Sequence, residues 1–399
     1  MISVSDALSI LSEHTPVMPI ELATLDDALG RICAEDILAK VTLPPRDASA
    51  MDGYAVRLED VRTSGAHLKV IGEVPAGSEF GAVVGKGETV RVFTGSPVPK
   101  GADHIIIQEN TIRSGSSVKV LTRSHASRHI RRAGLDFAKG DVIIPRLARI
   151  GPAEIALAAA GNYSDVGVLA KPRISILAAG DELVRPAAAR ALGDVVNSNT
   201  AALAALIKTW GGTVLDMGLA KDDPAEIEDM FERAKMADIL LPVGGASVGD
   251  HDHMRRVFKK MGGQVIFEKI AVKPGKPTWF GILHGKPVLG LPGNPASALV
   301  CAHLFLRCLI GYPPAGVVKM RLEFDLPENG PRETYLRARA TSRSGQLYVQ
   351  PFPQQDSSLL TPFRKANVLL RRLPIADSVK AGDLVDVIEL GVGPSAISE

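Results

Sequence analysis

The sequence predicts a multidomain α/β protein built around a doubly wound α/β domain. Between Arg173 and Leu309, short apolar runs end in loops of glycine, proline and charge, and amphipathic helical patterns separate most of them. The runs are Ile174–Ala178, Asp238–Val243, Val265–Val272 and Val288–Leu291. This alternation is typical of a parallel sheet whose strand C-termini meet at a ligand site. A chain of 399 residues is also too long for one core, so we expect roughly two to four domains.

Three helices and a further strand complete the predicted α/β domain. Asn199–Trp210 follows a polar cap and ends at a Gly-Gly pair, and Thr213–Gly218 is a strand. Pro224–Met236 has proline in its first turn, and His253–Met261 also ends at two glycines. The short loops between these elements predict right-handed crossovers and a doubly wound sheet.

The N-terminal part combines helices with an inserted β-rich module. Ser3–Leu11 has its apolar residues on one face, and Thr24–Arg31 is a second predicted helix. Ile150–Ala160 is an apolar helix that we expect to return and pack near the N-terminal helices. Between Pro44 and Ile143, β-branched runs alternate with Gly- and Pro-rich turns, which predicts strands. The expected strands are Leu68–Val74, Glu88–Phe93, His104–Gln108 and Ser117–Leu121.

The C-terminal part consists of short apolar or alternating segments. Strands are expected at Met320–Leu326, Thr334–Ala340, Gln346–Gln350 and Val385–Leu390. Segments of this length and spacing predict a small β-barrel or sandwich.

Charge and cysteine content argue against several classes of protein. The 46 basic and 44 acidic residues leave a net charge of +2, so no overall field favours nucleic acid or a membrane surface. The three cysteines form no Cys-x-x-Cys pair, which fits a reducing compartment. No signal-peptide pattern is visible, and the longest apolar helical segment, Ala296–Ile310, is too short to span a bilayer. We therefore expect a soluble cytoplasmic protein.

The loop Gly244–Asp252 is the most specific local feature. Successive glycines after a strand allow the backbone to approach an anion, and a serine adds a hydroxyl. Asp250 and Asp252 could then hold a hard cation such as Mg²⁺. The alternative is a tight strand-to-helix turn capped by Asp250, and His251 with His253 favours a transition metal only weakly. The substrate-binding residues predicted in this loop are Gly244, Gly245, Ser247, Gly249 and Asp250.

Two further loops carry features that suit an anion. Lys273 and Lys276 alternate with proline and glycine, and Lys269 lies four residues before Lys273. Lysine is a compact charge suited to phosphate or an oxyanion, although a solvated turn explains the loop equally well. The string Pro292-Gly293-Asn294-Pro295 opens an apolar helix that also contains Ser297. Its free N–H groups suit an anion, and simple helix initiation is the alternative.

Carboxylates follow two of the predicted strands. Asp181 and Glu182 end the first one, the expected place for ligand contact, and Asp222 precedes a proline-initiated helix that an aspartate would cap. Three polar loops lie outside the α/β domain, and each alone reads as structural. They are Asp47–Ala55, Phe93–Asp103 and Arg131–Asp136.

Taken together and in this order, these strings resemble the MoeA family of molybdopterin molybdenumtransferases, which is related to the E domain of gephyrin. The resemblance implies a MogA-like α/β domain at 171–312 and a β-rich lid module at 44–137. It also implies a helical or linker domain from 1–43 with 138–170, and a C-terminal β-barrel at 313–399. Its implied reaction inserts molybdate into the dithiolene of adenylylated molybdopterin and releases AMP, with Mg²⁺ as cofactor.

The resemblance also implies site residues and partners. The catalytic residues would be Asp47, Thr94, Asp136, Glu182, Asp222 and Asp252, and the metal ligands Glu182, Asp222 and Asp252. The substrate-binding residues outside the glycine loop would be Lys269, Lys273, Lys276, Pro292, Gly293, Asn294 and Ser297. A homodimer is implied in which the lid closes over the partner subunit's site. A molybdopterin adenylyltransferase and maturation factors of molybdoenzymes are expected partners.

This chain departs from the family pattern, and other functions were weighed against it. Ala179 replaces a threonine, Ala246 a valine and Leu135 a glutamate of the commoner strings. A molybdopterin adenylyltransferase is the nearest rival, but its Gly-Gly-Thr-Gly loop is absent here. A pterin carrier or scaffold would not require the retained acids and lysines. A nucleotide-binding dehydrogenase is more distant because no Gly-x-Gly-x-x-Gly follows a strand.

Overall fold

The structure is a computed structural model that describes residues 1–122, 128–188, 190–244, 253–312 and 316–391. The chain divides into two compact units. The smaller unit is Pro19–Leu169, and the larger unit joins Met1–Met18 to the residues from 170 onward. Among the described residues, no helix has the length and apolar character needed to cross a lipid bilayer.

The smaller unit is centred on a six-stranded sheet that contains all the strands predicted for the inserted module. In spatial order its strands are His104–Ile107, Gly53–Val56, Glu88–Val92, His67–Val74, Ser117–Val120 and Thr111–Ser114. Alternation along Gly53–Val56 explains its two-sided burial, since Tyr54 and Val56 pack in one hydrophobic cluster and Ala55 in another. Three further pairings lie in this unit: Ile37–Leu38 with Val142–Ile144, Ala48–Ser49 with Ile130–Arg131, and Ile20–Thr24 with Asp165–Leu169.

The helix predicted over Thr24–Arg31 is wrong. Thr24 instead closes the strand Ile20–Thr24, which pairs antiparallel with Asp165–Leu169. A single turn follows, in which the Ala28 N–H donates to the Thr24 carbonyl at 2.9 Å. Gly30 then adopts a φ of +77°, a conformation that ends any right-handed helix. Strand pairing and this glycine therefore override the apolar spacing of the segment.

The helix predicted at Ile150–Ala160 is present as Pro152–Ala160. Proline stands in its first turn, and the Glu154 carboxylate accepts the Gly151 N–H at 2.9 Å. Its Ala158 packs with Cys33 and Ile144 in a core formed only by residues of the smaller unit. The helix therefore packs within the smaller unit, against the segment that contains Cys33.

The larger unit contains the predicted α/β sheet, with an antiparallel edge. In spatial order the strands are Thr213–Ala220, Arg173–Ala179, Ile239–Val243, Lys286–Gly290, Trp279–Leu283 and Gln264–Phe267. The first four are parallel, whereas Trp279–Leu283 is antiparallel to both of its neighbours. The sequence reasoning missed this strand. His284 and Gly285 have φ values of 51° and 76°, the tight two-residue turn that joins antiparallel strands.

The run predicted as one strand over Val265–Val272 is divided. Gln264–Phe267 belongs to the α/β sheet, and Val272–Lys273 pairs in parallel with the first residues of Glu333–Arg343. Between the two segments the backbone pairs with Ile2, whose N–H donates to the Lys269 carbonyl at 3.1 Å. The strand that carries Lys273 therefore belongs to the sheet of the C-terminal β structure.

Helices cover both faces of the sheet. They are Val4–Glu13, Asn199–Thr209, Pro224–Arg233, His253–Lys260 and Pro295–Cys301, the last continuing through a π-helical Ala302–Leu306 into Arg307–Leu309. Trp210, Phe280 and Phe305 mark the core on one face, and Phe231 and Phe258 the core on the other.

The first helix belongs to the α/β unit. Ser3 caps it, with the Asp6 N–H donating to Ser3 Oγ at 3.0 Å. Its buried Val4, Ala7 and Leu11 lie in the same cluster as Leu309. We expected residues 1–43 to form one domain with 138–170, but Met1–Met18 packs elsewhere because its apolar face is buried here. Burying Leu11 alone contributes about 2 kcal/mol.

The C-terminal segment forms a closed five-stranded β-barrel, which confirms the β-barrel predicted for the C-terminal domain. Its strands are Val317–Leu322, Glu333–Arg343, Gln346–Pro351, Val368–Arg372 and Leu384–Glu389. Pairing of Glu333–Arg343 with Val368–Arg372 closes the sheet around Met320 and Leu370. The sequence reasoning missed Val368–Arg372, because its apolar start and two following arginines show no alternation.

Candidate active site

A cavity of 660 Å³ opens at the carboxyl ends of the four parallel strands. We call it the cleft. Residues that follow each strand line it, as expected for a ligand site in a parallel α/β sheet. The predicted site residues among them are Glu182, Asp222, Gly244, Pro292, Gly293 and Asn294. The structure therefore brings together residues that lie up to 112 positions apart in the chain.

Two glycines allow the loops of the cleft to touch. A Cβ on Gly293 would lie 3.4 Å from Gly244 Cα, and the Gly244 N–H donates to the Leu291 carbonyl at 3.3 Å. Backbone is thus exposed to the cavity at both loops. The other predicted residues of the glycine loop lie outside the described residues: Gly245, Ser247, Gly249, Asp250 and Asp252.

Asp222 faces the cleft, whereas its neighbour Asp223 is the helix cap. Asp223 Oδ1 accepts the N–H groups of Ala225 and Glu226 at 2.9 and 3.0 Å, at the start of Pro224–Arg233. Burial, and then the nearby carboxylates of Asp181 and Glu182, raise the pKa of Asp222. Three acids therefore repel one another at one edge of the cleft, an arrangement that a cation would relieve.

Glu182 and Asp222 are the predicted metal ligands that the structure describes. Within the described ranges, no group of three or more histidine, cysteine or acidic side chains has the arrangement of a complete metal site. The third predicted ligand, Asp252, lies outside them. Two carboxylates are the ligands Mg²⁺ uses when it keeps several waters and binds substrate phosphates.

The sequence reasoning missed the polar start of helix Asn199–Thr209. Asn197, Ser198 and Asn199 all line the cleft, and Asn199 Nδ2 donates to the Gly293 carbonyl at 2.7 Å. The first residues of this eleven-residue helix therefore line the same cavity as the glycine backbone, and the Thr200 N–H at its start donates to Asn197 Oδ1 at 3.2 Å. The polar string before the helix was noted only as a cap.

A second cavity, of 370 Å³, adjoins the cleft and is lined by cations. We call it the lysine cavity. Pro277, Pro292 and Asn294 line both cavities. The polar side chains that line the lysine cavity include Lys273, Lys276, Asn294, Ser297, Arg332, Thr334, Gln355 and Ser357. Lys269 is not among the described residues that line either cavity, and its carbonyl accepts the Ile2 N–H.

The lysine loop is held rigidly against the helix behind it. A Cβ on Gly275 would lie 2.1 Å from Cys301 Sγ, so only glycine fits between the two lysines. Thr278 Oγ1 donates to the Gly275 carbonyl at 2.8 Å and is itself buried. This packing fixes the backbone from which Lys273 and Lys276 project.

Arg337 anchors a barrel loop that reaches both cavities. Its side chain is buried, and its guanidinium donates to the carbonyls of Leu359 at 2.7 Å and Asp356 at 2.9 Å. Ser357 and Ser358 lie in this loop and line the lysine cavity and the cleft respectively. Arg337 was not predicted, since nothing in a strand-like run of sequence marks one arginine as buried.

The predicted residues of the smaller unit lie on three loops joined by backbone hydrogen bonds. The Val98 N–H donates to the Asp47 carbonyl at 3.0 Å, and the Gly95 N–H to the Ser49 carbonyl at 2.8 Å. Asp47 accepts the Ala133 N–H at 3.0 Å and forms an ion pair with Arg132. The Ala133 hydrogen bond, with the Arg132 charge, lowers the pKa of Asp47.

Thr94 is bonded to an aspartate that the sequence reasoning left out. Its N–H and hydroxyl donate to Asp52 Oδ1 at 2.7 and 2.9 Å, and these bonds lower the pKa of Asp52. Asp136 lies on the third loop with an exposed side chain, and its N–H donates to the Leu43 carbonyl at 3.1 Å. The three loops thus carry the carboxylates of Asp47, Asp52 and Asp136, and hydrogen bonds hold the first two.

The fold and the cleft define a class of protein: a multidomain α/β protein with a ligand site at the carboxyl ends of its parallel strands. Residues 175–311 match the family model of a probable molybdopterin binding domain. Residues 2–161 match the MoeA N-terminal region (domain I and II), and residues 319–390 the MoeA C-terminal region (domain IV). The chain belongs to the MoeA family.

Relatives and solved structures agree with this assignment over nearly the whole chain. A molybdopterin molybdenumtransferase of Haemophilus influenzae is 34% identical and covers 97% of this chain and 98% of its own. One from Nostoc sp. is 35% identical over 84% of this chain and 81% of its own. The crystal structure of a MoeA protein from Pyrococcus horikoshii superposes with a TM-score of 0.84 at 28% identity, covering 98% of this chain and all of that one.

Proposed function

We propose that this protein is a molybdopterin molybdenumtransferase, which inserts molybdate into the dithiolene of adenylylated molybdopterin and releases AMP. The observation that carries the proposal is the pair of adjoining cavities at the carboxyl ends of the parallel strands. One is lined by the acids Glu182 and Asp222 and by the polar start of a helix, and the other by lysines and an arginine. A diphosphate with a metal ion suits the first, and an oxyanion suits the second.

Mg²⁺ is the cofactor that fits the cleft. Glu182 and Asp222 would hold it together with Asp252. Burial and the neighbouring carboxylates of Asp181 and Glu182 raise the pKa of Asp222, so a cation is favoured at this edge of the cleft. When bound, such an ion neutralises charge that develops on the phosphate oxygens. The acids contribute positioning and electrostatic stabilisation, and no protein nucleophile is required.

Molybdate is assigned to the lysine cavity. Lys273, Lys276 and Arg332 supply positive charge there, and Ser297 and Ser357 supply hydroxyl donors. A tetrahedral dianion requires several donors that converge from different directions, which these side chains provide from four separate segments of the chain. The adjoining cleft then brings the oxyanion next to the substrate.

The protein acts as a homodimer in this proposal, with a site shared between subunits. Asp47, Thr94 and Asp136, together with Asp52, lie on exposed loops of the smaller unit and would face the cleft of the partner subunit. A molybdopterin adenylyltransferase would supply the substrate and maturation factors of molybdoenzymes would accept the product. Their shared compartment would be the cytoplasm.

The test is molybdate-dependent AMP release. Purified protein is incubated with adenylylated molybdopterin and Mg²⁺ while molybdate is varied, and AMP is measured by chromatography. We expect AMP release to rise with molybdate and saturate. Release that is indifferent to molybdate, or none at all, would contradict the proposal. Consumption of ATP with molybdopterin and release of pyrophosphate would instead identify an adenylyltransferase, which the missing Gly-Gly-Thr-Gly loop argues against.

A further inference from the structure

An arginine of the smaller unit lies between two aromatic rings. Arg91, in strand Glu88–Val92, pairs with Tyr54 of the neighbouring strand, so the two side chains share one face of the six-stranded sheet. The guanidinium carbon lies 5.0 Å from the centroid of the Tyr54 ring and 5.2 Å from that of the Phe93 ring. Tyr54 is buried and Arg91 half-buried, which strengthens a cation–π contact. The function described so far gives this arginine no role.

Hydrogen bonds fix the guanidinium in its plane. One Nη donates to the Gly53 carbonyl at 3.3 Å, and the other donates to Gln108 Oε1 at 2.5 Å. A planar group with several donors satisfies two such acceptors while it stacks on the rings, which the compact ammonium of lysine does not. The sheet therefore holds one particular arginine geometry at this point.

The acceptors of Arg91 lie on both sides of Asp52. Gly53 follows Asp52 in the chain, and the Gln108 N–H donates to the Asp52 carbonyl at 3.0 Å. A Cβ on Gly53 would lie 2.1 Å from the Ile106 carbonyl oxygen, so the backbone here is packed closely against the next strand. Arg91 therefore ties together the two segments that fix the backbone of Asp52.

The carboxylate of Asp52 is also arranged around Arg91. Its Oδ1 accepts the N–H and the hydroxyl of Thr94, and Thr94 comes directly after the ring of Phe93 that covers the guanidinium. The Thr94 hydrogen bonds, and then the charge of Arg91, lower the pKa of Asp52. Among the described residues, Arg91 is the charged side chain that acts on this carboxylate. Backbone, hydrogen-bond partner and charge all depend on the same arginine.

We propose that Arg91 is a positioning residue that fixes the Asp52 carboxylate for the reaction. This assignment rests on the proposed function, in which Asp52 and Thr94 face the partner subunit's cleft. An ionised carboxylate of fixed orientation accepts a hydrogen bond or a proton from a substrate group with little reorganisation. The competing explanation is that Arg91 only covers the apolar core around Tyr54.

The first experiment labels the full chain with a carbodiimide and glycinamide between about pH 4 and 6, followed by peptide mass spectrometry. Carbodiimides react with the protonated carboxyl, so the labelling of Asp52 reports its protonated fraction. We expect Arg91→Met to raise this labelling at least about twofold, because the positive charge is lost. Arg91→Lys retains the charge and should stay near the parent. Labelling of Asp26, an exposed aspartate of the same unit, is the internal reference.

Two further variants make the experiment specific. Arg113→Met is the matched control, because Arg113 is an exposed arginine of the same sheet whose Nε donates to the Gly115 carbonyl. It should leave the labelling of Asp52 unchanged. Gln108→Leu removes one acceptor of the guanidinium at an exposed position. It should raise the labelling of Asp52 less than Arg91→Met does, and it serves if Arg91→Met does not fold.

The second experiment measures molybdate-dependent AMP release. Arg91→Met should lower kcat at least about tenfold with KM unchanged, and the acid limb of its pH profile should move to higher pH. Arg91→Lys should recover most of kcat.

The outcomes separate this inference from the proposed function. If Arg91→Met and Gln108→Leu melt at a lower temperature while Asp52 is labelled as in the parent, Arg91 only covers the core. The inference is then wrong, even if AMP release depends on molybdate. If labelling rises in both variants and not in Arg91→Lys or Arg113→Met, Arg91 positions Asp52. A parent protein that releases no AMP contradicts the proposed function and leaves the labelling result in force.

Discussion

The pKa of Asp222, a proposed metal ligand, links its electrostatic environment to the stability of the protein. Burial and two neighbouring carboxylates raise its pKa, so its charged form is disfavoured in the folded protein. For an acid with a raised pKa, the stabilising contribution is complete at low pH and is lost as pH rises through the folded value. At neutral pH the charged Asp222 therefore opposes folding unless a cation is present.

Asp222→Asn should accordingly melt at a higher temperature than the parent protein at pH 7 without metal. Addition of Mg²⁺ should raise the melting temperature of the parent and leave Asp222→Asn unchanged. Differential scanning fluorimetry across a Mg²⁺ series measures both effects. Asp26→Asn, an exposed aspartate of the smaller unit, is the control. An equal Mg²⁺ shift in Asp222→Asn and the parent would contradict the metal assignment.

His303 provides a second titration, remote from the cleft. It lies in the π-helical segment with its ring edge against Trp210, at 5.3 Å between centroids, and burial lowers its pKa to about 4. The folded protein holds the neutral ring, whereas the unfolded chain takes a proton near its ordinary pKa. Stability is therefore complete above about pH 6.5 and falls as pH decreases towards 4.

We expect acidification over this range to cost up to about 3 kcal/mol at His303. Urea unfolding near neutral pH and near about pH 4.5 measures the loss, and His303→Phe should show a smaller difference between the two conditions. A variant with the same pH dependence as the parent would assign the acid sensitivity to other groups.

At the scale of elements, the barrel loop 354–359 depends on one buried side chain. Arg337 donates to carbonyls of this loop, and Ser357 in turn binds Asn294 at 2.9 Å between Oγ and Nδ2. Removal of the guanidinium leaves the carbonyls of Asp356 and Leu359 without this donor. The loop should detach from the lysine cavity before the barrel itself unfolds.

Arg337→Lys should therefore lower stability by about 3 kcal/mol and expose the loop to protease. Oxyanion affinity, measured by calorimetry with molybdate alone, should fall with it. Arg339→Lys, at an exposed position of the same strand, should change neither. Protection of the loop in Arg337→Lys equal to that of the parent would show that its anchor lies elsewhere.

The elements that the sequence predicted are those whose pattern is local. Parallel strands such as Arg173–Ala179 are apolar on both faces and end at glycine, so they could be identified directly. Trp279–Leu283 was missed although its aromatic and aliphatic residues favour a strand and a tight turn follows it. The helix predicted at Thr24–Arg31 was wrong because strand pairing with Asp165–Leu169 overrode the helical spacing of its apolar residues.

The same distinction holds within the site. Glu182, Asp222 and Gly293 follow strand ends, and their meeting in one cleft follows from parallel topology. Arg332, Arg337 and the serines of the barrel loop could not be found in this way. Their approach to the lysines depends on packing between the α/β sheet and the barrel, which no local pattern encodes.

At the scale of the whole molecule, the shared site of the proposed homodimer can be tested by complementation. Asp136→Ala removes a residue of the smaller unit and Asp222→Asn one of the larger unit. Each variant alone should be inactive. In a heterodimer built from both, one of the two sites is intact, because each site takes one residue from each subunit.

Unfolding and refolding the two variants together in equal amounts yields heterodimers as about half of the dimers, so about a quarter of the parent activity should return. Molybdate-dependent AMP release measures it, and size-exclusion chromatography verifies the dimer. No recovery from correctly assembled heterodimers would place both residues in a site within one subunit.

The pairing of Val272–Lys273 with the barrel strand Glu333–Arg343 limits how this protein can be taken apart. Val272 pairs with Glu333 and Lys273 with Thr334, so the backbone that carries one of the two cavity lysines is a strand of the barrel's sheet. An excised α/β domain would retain the lysines and lose their alignment. The lysine cavity therefore depends on residues outside that domain. A protein that contained only 175–311 would have the cleft without the lysine cavity.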